Sequence, residues 1–433
     1  MMEKINDLPR WAKNLILQQK QTIDKLTTRI CNLEKRLLVY ENAHTPPSLQ
    51  KNMKRIPRIS SGKLGAPIGH PKYEREEPKI TETKKYSTEF CPHCSSKLGE
   101  PENILRFIEE ELPDLKSIKV VEHLIECFKC KNCGREITSK NNVPKERFGP
   151  NLQSHITLLK HDDRLPLRKV AGTLNRNYSL KLTHTGIMKI IQGVAKKLNE
   201  PYYEIIKQTR SSGVVYVDET GYKLNGDTWW LWTFVTENNV LFVIRKSRAK
   251  KVVEEVLGKE FNGIISCDGW KTYESFSNKL QRCWAHLLRE SHHLKEKHKD
   301  FEKFHEMLKK IFKEILEIRL KPPSEEKRKE LAIKMKLVLL GLAKRMSKHV
   351  HFEKFAKKIE NGMDYWFTCI EYLEVEPTNN FAEQALRELI VQRKIMGGLR
   401  SESGAVTLEV ISTMIATWKK QGKPLLETMK NYL

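Results

Sequence analysis

Three apolar runs follow one another in quick succession: Val214–Asp218, Thr228–Val235 and Val240–Arg245. The connectors are Asn225-Gly226 and Glu237-Asn238-Asn239. Asn-Gly between β-branched and aromatic runs is a strong hairpin signal, because such a tight turn needs positive φ. A helix-patterned segment, Lys250–Leu257, leads to a fourth run, Gly263–Cys267, and a fifth, Lys279–Trp284, enters a helix from His286. The order β-β-β-α-β, then β and α, leaves few sheet arrangements open.

The ribonuclease-H-like plan has that order, and in it the first and fourth strands lie side by side. Asp218 ends the first run and Asp268 follows the fourth, so this plan brings the two carboxylates together. Far downstream, Glu383 lies in Thr378-Asn379-Asn380-Phe381-Ala382-Glu383-Gln384-Ala385-Leu386-Arg387, which reads as a helix. Divalent cations such as Mg²⁺ prefer carboxylate oxygens, and strand ends present them rigidly. Two such ions stabilise the attacking and leaving oxygens of a phosphodiester displacement. Each residue also has a plainer role. Asp at a strand end is a common turn residue, and Asn380-x-x-Glu383 fits a helix capping box. The joint placement of all three favours a metal site. Glu219 should face the opposite side of its strand from Asp218 and is excluded.

Charge narrows the partner. Lys and Arg number 78 against 54 Asp and Glu, giving a formal net charge of +24, and a sequence pI near 9.5. That balance suits a polyanion, since phosphates neutralised by Lys and Arg release condensed counterions. No apolar run reaches the roughly 18 residues of a membrane span, and Met1-Met2-Glu3-Lys4-Ile5-Asn6-Asp7 lacks the apolar stretch of an export signal. The expectation is a cytoplasmic, nucleoid-associated protein with no membrane partner. Cys91-Pro92-His93-Cys94 and Cys130-Lys131-Asn132-Cys133 then read as four zinc ligands in a closed, structural site. Cys127 offers a rival pair with Cys130, but Gly134 after Cys133 suits a tight metal-binding turn.

At 433 residues the chain should divide into several units. Residues 1–45 read as a coiled coil: Ile16, Ile23, Ile30 and Leu37 fill one seam position and Gln19, Leu26, Leu33 and Tyr40 the other. β-branched residues at one position and mostly Leu at the other suit a parallel pair, hence a homo-oligomer. Residues 46–87 form a basic Gly/Pro-rich linker or DNA arm with Lys51, Lys54, Arg55, Arg58, Lys63 and Lys72. A zinc-binding module over 88–147 and a helix-turn-helix-like bundle over 148–210 follow. The catalytic domain takes 211–433, with a helical insertion at about 287–370.

Nearly the whole chain resembles the transposases of bacterial and archaeal insertion sequences of the sixty-six type. The resemblance rests on Asn42-Ala43-His44-Thr45-Pro46-Pro47-Ser48, the Gly65–His70 segment, the cysteine pairs and Val217-Asp218-Glu219-Thr220. It rests most on Cys267-Asp268-Gly269, Cys283-Trp284-Ala285-His286 and Asn379-Asn380-x-Ala382-Glu383-x-x-x-Arg387. Gln384 departs from the family, which usually has Arg there. The resemblance implies a multidomain α/β protein with a ribonuclease-H-like core, and Asp218, Asp268 and Glu383 as a DDE triad for two Mg²⁺ or Mn²⁺ ions. It implies DNA cleavage and strand transfer at element ends and target, with accessory proteins as a further class of partner. Two other readings stand beside it: a DNA-binding regulator or domesticated remnant without catalysis, and a structure-specific nuclease of the same fold.

Overall fold

The β-branched and aromatic runs form one five-stranded sheet in the computed structural model, which describes residues 146–269, 273 and 279–433. Before them it describes only short pieces, the longest being 118–129. The chain divides into two units, Met1–Pro113 and Asp114–Leu433. In the first, the described residues of the heptad stretch, 18–19, 21–27 and 29, are helical. The basic tract at 46–79 lies outside the described residues. In the second unit, strands β1 (Cys127–Lys129) and β2 (Glu136–Thr138) pair antiparallel as a small ribbon.

The main sheet contains β3 (Val214–Leu224), β4 (Asp227–Val235), β5 (Val240–Arg245), β6 (Ile264–Cys267) and β7 (Leu280–Arg282), in the order β5-β4-β3-β6-β7. The first three are antiparallel; β6 and β7 run parallel to β3. The first and fourth strands are thus neighbours. One expectation needs correcting: Asp218 does not end its strand. β3 pairs with β6 only over Val214–Tyr216, but its ladder with β4 continues to Leu224 opposite Asp227. Asn225 and Gly226 take the positive φ values, 49° and 90°, that close this hairpin.

Helices cover both faces. On one side lie α1 (Pro150–His161), α2 (Leu167–Tyr178), α3 (His184–Lys197) and α4 (Asn199–Arg210), with α5 (Lys250–Leu257) after the third strand. Ile156, Leu174, Ile187 and Val194 share a buried cluster with Val215, Val217, Trp232 and Phe234 of the sheet. The break after α2 falls at Ser179, which takes φ 54°. Thr183 caps α3 by accepting from the Gly186 N–H. The opposite side carries α6 (Trp284–Lys297), α7 (Glu302–Leu320), α8 (Glu325–Met346), α9 (Glu353–Asn361), α10 (Thr368–Glu371) and α11 (Asn380–Met396). They bury Trp284, Trp366, Phe367 and Leu386 against Tyr216 and Leu231. Ser324 caps α8 by accepting from the Lys327 N–H.

The last long helix, α12 (Glu402–Lys420), runs along the margin of the sheet, and α13 (Leu425–Lys430) follows it. Three α12 side chains, four residues apart, meet alternate backbone groups of β5. The Thr417 hydroxyl accepts from the Val240 N–H at 3.1 Å, the Thr413 hydroxyl from Phe242 at 2.9 Å and the Glu409 carboxylate from Ile244 at 2.6 Å. Four residues of helix advance about 6.0 Å and two of strand about 6.8 Å, so the two periods nearly match. Among the described residues no helix is long and apolar enough to cross a membrane.

Candidate functional site

The β3–β6 register brings the two aspartates alongside. Val214 faces Ile264 and Tyr216 faces Ser266; continuing that offset of 50 residues sets Asp218 against Asp268, just past the last paired residues. Along β3 side chains alternate, so Asp218 shares the face of Val214 and Tyr216, toward α6 and α11. Its Oδ1 accepts the Glu219 N–H at 3.0 Å. Burial, chiefly, pushes the Asp218 carboxyl up to about 8; the negative charges of Glu219, Asp268 and Glu383 add to it, and the Glu219 N–H opposes them. The ligand atoms of Asp218, Asp268 and Glu383 do not close to within 4.8 Å as a trio. The charges of Asp268 and Glu383 nonetheless reach Asp218.

Glu383 lies in the first turn of α11, and Asn379 fixes that turn. Fully buried, Asn379 donates its side-chain amide to the Val217 carbonyl at 2.8 Å, one residue before Asp218. Its backbone N–H donates to Cys283 Sγ at 3.1 Å. Its own carbonyl accepts from the Glu383 N–H at 3.2 Å. The capping-box alternative fails here. Asn379, not Asn380, precedes the helix, and its side chain is spent on β3. Sequence reasoning passed over Asn379 because two adjacent asparagines at a helix start look interchangeable.

Glu383 pairs with neither end of its own helix. Its Oε2 lies 3.5 Å from Arg289 Nη2 and its Oε1 3.5 Å from His286 Nδ1, while Arg387, one turn on, is exposed. Burial holds His286 below the usual histidine range, and the Glu383 carboxylate opposes that shift. His286 Nδ1 and Glu383 Oε1 are both shut from solvent with no hydrogen-bond partner. Trp284 anchors this stretch: its indole N–H donates to the Trp366 carbonyl at 2.6 Å and its backbone N–H to Pro377 at 3.0 Å.

Glu219 faces the other side of the sheet, as its position in the strand requires. It is buried there, accepting from Arg248 Nη2 at 2.7 Å and from the Tyr273 hydroxyl at 2.7 Å. Burial raises its carboxyl, against the pull of Tyr273 and Arg248. Gly398, between Lys394 and Arg400, has a local explanation. A Cβ on Gly398 would meet the Lys223 carbonyl at 2.6 Å. There Leu399 exchanges backbone hydrogen bonds with Lys223 and Asn225. Close approach to the β3–β4 hairpin, not to a ligand, demands glycine at that position.

Of the four expected zinc ligands, Cys91, Cys130 and Cys133 lie outside the described residues. Cys94 is exposed, with its Sγ 3.0 Å from the Ser96 hydroxyl, and Cys127, also exposed, opens β1.

A search of curated proteins gives no match. The sequence model described as Transposase IS66 family matches residues 145–407. That span is more than half of the 433 residues, and it runs from before α1 into α12. With the whole sheet and the helices that carry these carboxylates inside the match, the chain belongs to the IS66 family of transposases.

Proposed function

We propose that Asp218, Asp268 and Glu383 form a DDE site that holds two divalent cations, Mg²⁺ or Mn²⁺, and cuts and joins DNA at the ends of an insertion sequence. One observation carries this reading. Asp218 is partly buried, and burial together with the charges of Glu219, Asp268 and Glu383 pushes its carboxyl up to about 8. A fold that gathers acids this way on a net charge of +24 gains from an opposite charge placed among them. The sheet order, antiparallel in its first half and parallel in its second, supports a ribonuclease-H-like core with α6–α10 as its helical insertion. Bound at these carboxylates, the cations would lower the pKa of an attacking water or 3′-hydroxyl and neutralise charge on the departing oxygen.

The chain's own residues do the rest. Asn379 holds α11 against β3, which keeps Glu383 near Asp218. Arg289 engages one oxygen of Glu383 and leaves the other facing inward. Exposed Arg387, Lys394 and Arg400 offer positive charge to a phosphate backbone on and beyond the same helix. Upstream, residues 1–45 join copies of the chain as a coiled coil, and the basic tract after them meets phosphates. Cys91, Cys94, Cys130 and Cys133 bind one structural zinc.

The test uses the full chain with DNA carrying its element's ends, and Mg²⁺. Asp218→Asn, Asp268→Asn and Glu383→Gln should each abolish cleavage while end binding stays within a few-fold of wild type. Near wild-type nicking by any variant removes that residue from the site. Cleavage of branched DNA without joined products would make the protein a nuclease, and binding without metal-dependent nicking would make it a regulator.

A further inference from the structure

Cys283, His286 and Glu383 bring one sulfur, one nitrogen and one oxygen donor within 4.8 Å of one another. Sequence reasoning did not join Glu383 to the Cys283-Trp284-Ala285-His286 motif. The Cys283-Trp284-Ala285-His286 spacing supplies two donors from the start of α6, and Glu383 comes from the first turn of α11. Two of the donor atoms, His286 Nδ1 and Glu383 Oε1, are sealed from solvent, lack any hydrogen bond and stand 3.5 Å apart. Buried polar atoms that face each other unpaired carry a free-energy cost unless something sits between them. Their separation matches two ligands of one tetrahedral ion with bonds of about 2.0–2.2 Å, which lie about 3.4 Å apart.

The surroundings fit an ion better than a packing accident. Arg289 takes Glu383 Oε2 and so turns Oε1 toward His286. The Asn379 N–H points at Cys283 Sγ from 3.1 Å, the kind of outer contact that orients a ligand sulfur. Trp284, buried and bonded to Trp366, fixes the turn that spaces Cys283 from His286. Three protein donors leave the fourth position of a tetrahedral ion open to water or substrate, unlike a closed four-cysteine site.

We propose that Cys283, His286 and Glu383 form a binding site for a transition-metal dication of the zinc and cobalt class, next to the aspartates and sharing Glu383 with them. A mixed sulfur, nitrogen and oxygen set selects such ions over Mg²⁺, which prefers oxygen alone. The site rests on its own three donors and needs neither Asp218 nor Asp268. The DDE reading can therefore fail without it, and it can fail without the DDE reading.

The probe is Co²⁺, titrated into the full chain and its variants, with absorption and equilibrium dialysis as readouts. Because other cysteines also take cobalt, the difference between proteins is what counts. Wild type should bind one more Co²⁺ than Cys283→Ser, and the difference spectrum should carry a thiolate-to-cobalt charge-transfer band that excess Mg²⁺ does not remove. His286→Asn should weaken that one site by more than about tenfold, since even outer contacts of a metal site are worth that much. Asp218→Asn should keep the band. Equal stoichiometry and superimposable spectra for wild type, Cys283→Ser and His286→Asn would overturn the proposal. If Cys283→Ser does not fold, His286→Asn decides: unchanged cobalt affinity in that variant overturns the site.

Discussion

At the scale of single residues, Asp218 shows how a site is set by neighbours that are distant in sequence. Its carboxyl is pushed up to about 8, mainly by burial. The metal-free native state therefore binds one more proton than the unfolded chain between the ordinary aspartate range and pH 8. Stability then falls as pH rises through that window, by at most about 1.4 kcal/mol per pH unit. Asn at this position has no proton to lose. Asp218→Asn should flatten the pH dependence measured by thermal unfolding in chelator from about pH 5 to 8, and should melt above wild type near its upper end. Parallel curves for the two proteins would show that Asp218 does not carry the penalty. The sequence marked Asp218 as a candidate and set it beside Asp268, but its position within the strand was not legible. The ladder with β4 carries β3 on through Thr220, Gly221 and Tyr222 after the shorter β6 has stopped, and no local pattern reveals where a partner strand ends. Asn379 was hidden for a related reason, since its value lies in a bond to Val217, 162 residues away.

At the scale of elements, the strands were readable because β-branched runs and Asn225-Gly226 act locally, whereas the role of α12 was not. Glu409, Thr413 and Thr417 look like polar interruptions in an apolar helix. All three are buried, and together they satisfy the outward N–H groups of β5. An edge strand left open would invite another chain to pair with it. Thr413→Val keeps the volume and removes the hydroxyl, so the Phe242 N–H loses its acceptor. The loss should be about 1–3 kcal/mol in urea unfolding. A change below about half a kcal/mol would mean that this N–H finds another acceptor. Thr→Val at the half-buried Thr407, whose hydroxyl bonds the Ser403 carbonyl of its own helix, should cost much less.

At the scale of the molecule, association and delivery of DNA belong to the N-terminal third in our reading, and the chemistry to the rest. Deleting residues 1–75 should give a smaller species in sedimentation. It should also reduce the salt dependence of DNA binding, because log affinity falls by about 0.9 per phosphate contact per decade of salt. Unchanged mass and slope would make the segment an inert leader. The helix that seals β5 has a different consequence, one of timing. Thr417 and its partner Val240 are 177 residues apart, so β5 is made long before the side chains that seal it. A ribosome that has just added Arg400 has already made Asp218, Asp268 and Glu383, yet β5, two strands from β3, still lacks its three side-chain acceptors. Possessing the three acids and possessing a sealed sheet are separate moments in the life of each chain, and the synthesis of α12 lies between them.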